Sequence, residues 1–130
     1  MADTDQHEYT LLFRGNWDTG LSPEKTQEIL DQCRAWYGNL LESGKIVGGQ
    51  ALTNEVVTLS GSTVTTDGPF AESKEVVGGY CIVRAGSFEE ATEIARLNPC
   101  LEYGTSIEVR AHTSMCPVQE RLDKLAAATV

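Results

Sequence analysis

Three arginines stand at polar positions of segments that alternate apolar and polar residues, as β-strands with one buried face do. If the apolar residues face the core, Arg14, Arg84 and Arg110 all point to the opposite face of one sheet. Period two places Tyr80 on that face, with Glu108 beside Arg14 or Arg110. Because a guanidinium group pairs with a carboxylate through two parallel hydrogen bonds, these residues predict a site for a carboxylate-bearing small molecule. The alternative is that the charges form cross-strand ion pairs of structural value only.

A turn sequence, Asp67-Gly68-Pro69-Phe70, adds a carboxylate that could act in catalysis. Asp67 is a candidate general base, or a hydrogen-bond acceptor at the mouth of a pocket. It is equally a candidate turn-former, since aspartate before Gly-Pro caps nearby backbone amides. Two aromatic residues are candidate ligand contacts: Phe70, which could instead anchor the turn, and Trp17, in the loop after the first strand.

The residue patterns of other common chemistries are missing. No glycine-rich phosphate loop and no Ser-His-Asp arrangement can be read in the sequence. The four cysteines contain no CxxC pair, and with only two histidines the pattern of a zinc site is absent. We therefore expect no metal and no cofactor, and we expect the cysteines to be free thiols that pack as small apolar residues.

Composition and charge narrow the classes of partner. The chain has 130 residues, 41% hydrophobic and 22% charged, as is ordinary for one globular domain. Its net charge of −9 is spread along the chain, which repels phosphate backbones and anionic membrane surfaces. No stretch has the ~18 apolar residues of a membrane span, and the polar start differs from a signal peptide. The sequence thus predicts a cytoplasmic protein that binds neither nucleic acid nor membranes.

Hydrophobic periodicity and turn residues divide the chain into alternating strands and helices. Strands are predicted at 8–14, 45–52, 79–85 and 105–110, helices at 22–44 and 87–98, and a β-hairpin at 55–66. Without the hairpin the order is β-α-β-β-α-β, the ferredoxin-like pattern of an antiparallel sheet with both helices on one face. The predicted fold class is α+β, with an extra β-hairpin and a C-terminal helix.

Apolar residues at helical spacing predict which helix faces are buried. They are Ile29, Leu30, Cys33, Trp36, Tyr37, Leu40 and Leu41 in the first helix, and Ala91, Ile94, Ala95 and Leu97 in the second. Residues 1–130 are expected to form a single domain, with 1–7 and 111–130 as terminal extensions. In the second extension Val118, Leu122 and Leu125 recur at i, i+4 and i+7, which predicts a short amphipathic helix that docks on another surface.

Four motifs, in the same order and spacing, resemble the YCII-related or DGPF-domain family. They are DGPFAESKE at 67–75, Gly78-Gly79-Tyr80 at the start of a strand, Pro99 after the second helix, and IEVR at 107–110. The resemblance implies a ferredoxin-like domain that pairs two sheets into a dimeric α+β barrel, so the expected protein partner is a second copy in a homodimer. The wider superfamily includes lactone isomerases, halide-eliminating enzymes and cofactor-free monooxygenases.

Three classes of function are left open. Many relatives carry a histidine and an aspartate proposed as a proton-transfer pair, but His7 and His112 of this chain lie outside the matched motifs. That departure favours a small-molecule-binding or regulatory interaction module. The alternatives are a small-molecule enzyme with isomerase- or lyase-like acid–base chemistry at Asp67, and a purely structural dimerisation module. The sequence does not decide whether the protein is an enzyme.

Overall fold

The computed structural model describes residues 6–15, 20–53, 55–66, 77–113 and 116–128. These residues form strands, α-helices and a short 3₁₀ helix. In chain order the elements are β1 (His7–Arg14), α1 (Pro23–Glu42), β2 (Ile46–Ala51), β3 (Val57–Ser60), β4 (Thr63–Thr66), β5 (Val77–Ala85), α2 (Phe88–Arg96), the 3₁₀ helix (Pro99–Tyr103), β6 (Ser106–Ala111) and α3 (Pro117–Ala128).

Four of the strands form one antiparallel sheet in the order β2-β5-β1-β6. The first strand therefore lies between β5 and β6, as a ferredoxin-like sheet requires. This order confirms the predicted α+β fold. The extra hairpin is confirmed as well, since β3 and β4 pair with each other in a separate two-stranded sheet.

The core lies between one face of the four-stranded sheet and helices α1 and α2. Leu11 of β1 and Val83 of β5 are 0% exposed, and Ala91 and Ile94 of α2 belong to the same buried cluster. Trp36 of α1 packs against this cluster and donates its indole N–H to the Ile94 carbonyl at 3.0 Å. Both helices thus cover one face of the sheet, and the opposite face receives neither of them.

Serine side chains cap the first turns of α1 and α2. The Ser22 hydroxyl accepts a hydrogen bond from the Lys25 amide at 3.1 Å, and the Ser87 hydroxyl accepts one from the Glu90 amide at 3.1 Å. Each bond satisfies an amide that the helix itself leaves without a partner. At the start of α2 the Glu90 carboxylate also accepts a hydrogen bond from the Gly86 amide, at 2.8 Å.

The predicted buried faces of the two helices are wrong in part. Leu97 is 72% exposed because α2 ends at Arg96 and Leu97 is its C-cap residue. In α1, Leu30, Tyr37 and Leu41 are exposed. A helix that lies on a sheet buries a single face, and residues about 100° away around the helix axis point past that contact.

The segment after α2 holds a 3₁₀ helix that the sequence reading did not include. The Asn98 side chain caps it by accepting a hydrogen bond from the Cys100 amide at 2.8 Å. Gly104 ends it in the left-handed region, at a φ of 104° that favours glycine. This short helix packs against α1 and places Cys100 in the protein interior.

The predicted C-terminal helix forms as α3. Its apolar residues Val118, Leu122 and Leu125 are all exposed, so its docking on another surface stays a prediction. Across the parts of the chain that the structure describes, no helix is both long enough and apolar enough to cross a bilayer.

Candidate ligand site on the open sheet face

The sheet has a second face that neither α1 nor α2 covers, which we call the open face. Side chains alternate along a strand, so each open-face residue neighbours a buried one, as partly exposed Leu12 neighbours Leu11. Its members are Glu8, Thr10, Leu12 and Arg14 of β1, Gln50 of β2, Tyr80, Ile82 and Arg84 of β5, and Glu108 and Arg110 of β6.

The strand register arranges these side chains in rows across the sheet. Two rows cross all four strands: Gln50–Tyr80–Leu12–Glu108 and Gly48–Ile82–Thr10–Arg110. Leu12 therefore separates Tyr80 from Glu108. Since neighbouring strands lie about 4.8 Å apart, the Tyr80 and Glu108 backbones are about 10 Å apart. A molecule with a single ring could reach from one to the other.

Arg14, Glu108 and Arg110 form an ion cluster on β1 and β6, which we call the arginine–glutamate triad. Glu108 Oε1 lies 3.3 Å from Arg14 Nη2, and Glu108 Oε2 lies 2.9 Å from Arg110 Nη1. The hydrogen bond from Arg110, together with the charges of both arginines, holds the pKa of Glu108 below its ordinary value. Two guanidinium groups thus contact one ionised carboxylate.

Arg84 does not join the triad. Its Nη2 lies 4.0 Å from Oε2 of Glu8, the residue opposite it on β1. His112 Nδ1 lies 3.9 Å from the other oxygen of Glu8, and the His112 ring also hydrogen-bonds the Thr10 hydroxyl. The charges of the open face therefore form two clusters, with the Glu8 cluster at the other end of β1 from Arg14. Nowhere in the described ranges do three or more potential metal ligands gather in a metal-binding arrangement.

A cavity of about 400 Å³ lies at the end of β2 and β5, on the side of the sheet that α1 covers. Phe13, Tyr37, Gln50, Tyr80 and Cys81 are among the residues that line it. Of the predicted site residues that the structure describes, Tyr80 is the one in this lining. Gln50 and Tyr80 also belong to the first row of the open face, which lies on the other side of the sheet from this cavity.

Three of the predicted site residues fall outside the described residues. These are Asp67, the candidate catalytic residue, and the two aromatic candidates Trp17 and Phe70. Their roles stay predictions.

Leu12, Ile82 and Gln50 are open-face residues that are absent from the site predicted from the sequence. The alternation that located the arginines also locates Leu12 and Ile82, so that signal was available. Gln50 had no such signal, because an irregularity in β2 before Gly48 shifts its register against β5. The pairing of Gln50 with Tyr80 is visible only in the folded sheet.

Known proteins similar to this chain include one sequence relative and one solved structure. An uncharacterised protein of Rhizobium meliloti (strain 1021) is 32% identical over 80 residues, 58% of this chain and 64% of that protein, so the match spans less than two thirds of the relative's length. The solved structure of 5-chloro-2-hydroxyhydroquinone dehydrochlorinase from Burkholderia phenoliruptrix, in complex with 2,5-dihydroxybenzoquinone, is similar at a TM-score of 0.42 and 21% identity, covering 81% of this chain and 93% of that one.

The family comparison covers most of the chain. The YCII-related domain matches residues 5–113, a stretch that begins before β1 and ends after β6. It includes the whole open face and leaves out α3. The chain therefore belongs to the YCII-related family.

Proposed function

We propose that this YCII-related chain binds a small organic acid on its open face, and that a second copy of the chain covers that face in a homodimer. The observation that carries the proposal is the arginine–glutamate triad, in which two guanidinium groups share one carboxylate. A ligand carboxylate would bind N–H donors of Arg110 other than the one that bonds Glu108.

The charge of the triad stands out against the rest of the molecule. The chain as a whole carries a net charge of −9, whereas two of the three triad residues are cationic. The side chains of Arg14 and Glu108 are 32% and 39% exposed, so water screens them less than fully exposed charges. Arg110 is more exposed and has five N–H donors, of which one bonds Glu108 at 2.9 Å. Arg110 is thus placed to meet an incoming carboxylate.

The side chains beside the triad suit an organic body rather than an inorganic anion. Leu12 and Ile82 lie in the two rows that end at Glu108 and Arg110, and both are partly buried. Tyr80 offers a ring and a hydroxyl from a backbone position about 10 Å from that of Glu108. Burial of apolar ligand surface on these residues adds affinity that the carboxylate alone would lack. The favoured class is therefore a one-ring or short-chain carboxylic acid.

A second copy would give the open face the cover that this chain alone does not provide. Leu12, Tyr80 and Ile82 form an apolar strip across β5 and β1, and burying such a strip favours association. Two sheets that pack face to face lie about 10 Å apart, which leaves room for interdigitating side chains and a small ligand. A ligand held between two copies would stabilise the dimer by mass action, which suits a regulatory module.

Ligand binding is predicted to need the carboxylate and both arginines. Benzoate, phenylacetate and para-hydroxybenzoate should raise the melting temperature in a thermal-shift assay, and benzamide should not. Arg14→Gln and Arg110→Gln are each expected to weaken the affinity of the best acid at least about tenfold, which corresponds to about 1.4 kcal/mol. Glu108→Gln should tighten binding, because it removes the carboxylate that competes for the same donors.

Arg96→Gln is the matched control for these variants. Arg96 also donates to a glutamate, Glu93, at 3.0 Å, but it lies on the exposed side of α2. Its replacement should leave the affinity unchanged in calorimetry. Equal shifts with benzoate and benzamide, or equal losses in the Arg96 and Arg110 variants, would show that the triad is architecture and not a ligand site.

The dimer is predicted to depend on the apolar strip of the open face. Sedimentation at micromolar concentration should show one species near twice the 14.1 kDa chain mass. Ile82→Glu places a charge in the strip and should yield a monomer that keeps its secondary structure. Leu59→Glu makes the same kind of change on the exposed β-hairpin and should leave the dimer intact. A monomeric wild-type chain would refute the proposal that a second copy covers the open face. Acid binding to that monomer could still be measured by calorimetry.

A further inference from the structure

Cys33 and Cys100 place their sulfur atoms 2.7 Å apart, although 67 positions separate them in the sequence. Cys33 lies on α1 and Cys100 lies in the 3₁₀ helix, and both are free thiols in the structure. We propose that this pair is a reversible dithiol–disulfide site, oxidised by small-molecule disulfides such as oxidised glutathione.

The backbone around the pair already holds the two sulfurs close to bonding distance. A disulfide bond is about 2.05 Å long, so the sulfurs need to approach by less than about 1 Å. The Cys100 amide donates to the Asn98 side chain at 2.8 Å, and the Cys100 carbonyl accepts from the Thr105 amide at 3.3 Å. These two bonds help to fix the position of Cys100 beside Cys33.

Within the pair, an oxidant would reach Cys33 before Cys100. Cys33 is partly exposed and lines a groove of about 510 Å³ along α1, together with Leu30, Arg34, Tyr37 and Asn98. The guanidinium of Arg34 lends this groove a positive charge suited to the carboxylates of glutathione. Cys100 is buried, and that burial, with the hydrogen bond to Cys33, raises its pKa to about 12. Cys33 is therefore the attacking thiol and Cys100 the resolving one.

The reaction balances as two exchange steps. The Cys33 thiolate attacks one sulfur of the small disulfide, forms a mixed disulfide, and releases one glutathione thiolate. The Cys100 sulfur, after loss of its proton, attacks the Cys33 sulfur, and the second glutathione thiolate leaves. The released thiolates take up the two protons of the cysteine thiols. Two protein thiols are thus oxidised to one disulfide, and one small disulfide is reduced to two thiols.

The other two cysteines do not share this arrangement. Cys81 is 1% exposed on the core face of β5, and burial raises its pKa to about 11. Cys116 is exposed at the start of α3. They serve as internal controls for selectivity.

Incubation of the reduced chain with oxidised glutathione tests the proposal. Peptide mapping should find one cross-link within the chain, between Cys33 and Cys100, with the loss of two hydrogen atoms from the linked peptides. The link closes a long loop in the unfolded chain, so the melting temperature should rise by about 5–15 °C and return on adding dithiothreitol. Cys100→Ser should instead trap one glutathionyl group on Cys33, whereas Cys81→Ser should behave as the wild type.

Three results would overturn the proposal. They are alkylation of Cys33 and Cys100 as free thiols after oxidation, a cross-link that involves Cys81 or Cys116, and a cross-link that lowers the melting temperature. Mapping of the wild-type chain decides the first two, so the test does not depend on any variant folding.

Discussion

Leu11→Ala is expected to lower the free energy of unfolding by about 2–5 kcal/mol, the range for truncating a fully buried leucine. Leu11 is 0% exposed on β1, an inner strand of the sheet, and packs in the cluster that joins β1, β5 and α2. The lost methyl groups leave a cavity that strands paired on both sides cannot close. Urea unfolding followed by tryptophan fluorescence measures the loss, since Trp36 packs against the same cluster.

Leu12→Ala is the matched control, with the same residue types at the next position of the same strand. Leu12 points to the open face and is only partly buried within one chain. At low protein concentration Leu12→Ala should lower the free energy of unfolding by less than half as much as Leu11→Ala. If a second copy covers Leu12, the loss of stability caused by Leu12→Ala should grow with protein concentration. The reason is that the unfolding of a dimer depends on protein concentration. Equal costs at every concentration would mean that the two faces are assigned wrongly.

Gly49→Ala is expected to cost about 1–3 kcal/mol, as an overpacked core position does. A Cβ atom at Gly49 would lie 2.6 Å from the Tyr80 carbonyl oxygen and 2.8 Å from the Cys81 Cα. Both of those atoms belong to the backbone of β5, which is paired with β1 on its other side. The clash cannot be relieved by turning a flexible side chain. The measurement is the midpoint of urea unfolding.

Gly48→Ala tests the same argument at the adjacent glycine. A Cβ atom at Gly48 would meet nothing within 4 Å, so the change should stay within about 0.5 kcal/mol of the wild type. A large loss from Gly48→Ala, or none from Gly49→Ala, would contradict the register of β2 on β5. That register places Gln50 beside Tyr80. The two glycine variants therefore also test one end of the open-face row that runs from Gln50 to Glu108.

The two proposals concern different sides of the molecule and can fail separately. The acid site lies on the open face, whereas Cys33 lines a groove along α1, on the side of the sheet that the helices cover. A chain that binds no carboxylate can still form the Cys33–Cys100 bond. A ligand-binding chain with unreactive thiols would likewise leave the acid site standing.

Much of the fold follows from local patterns that the sequence displays. Alternation along the strands assigns Leu11 to the core and Arg14 to the other face, because each strand residue points opposite to its neighbour. Ser22 and Ser87 mark the helix starts, because their hydroxyls complete hydrogen bonds within a single turn. The element order then selects the ferredoxin-like sheet, since few topologies accommodate β-α-β-β-α-β. Each of these features depends on residues close together in the chain.

The site depended on contacts between distant segments, which no local pattern encodes. The sequence left Glu108 beside either Arg14 or Arg110, and only the register of β1 on β6 shows that it bonds both. The shift in β2 decided where Gln50 lies, because one extra residue in a strand moves every later side chain against its neighbours. The closeness of Cys33 and Cys100 arises where α1 meets the 3₁₀ helix. Residues 67 positions apart in sequence share no periodicity, so packing alone brought their sulfurs together.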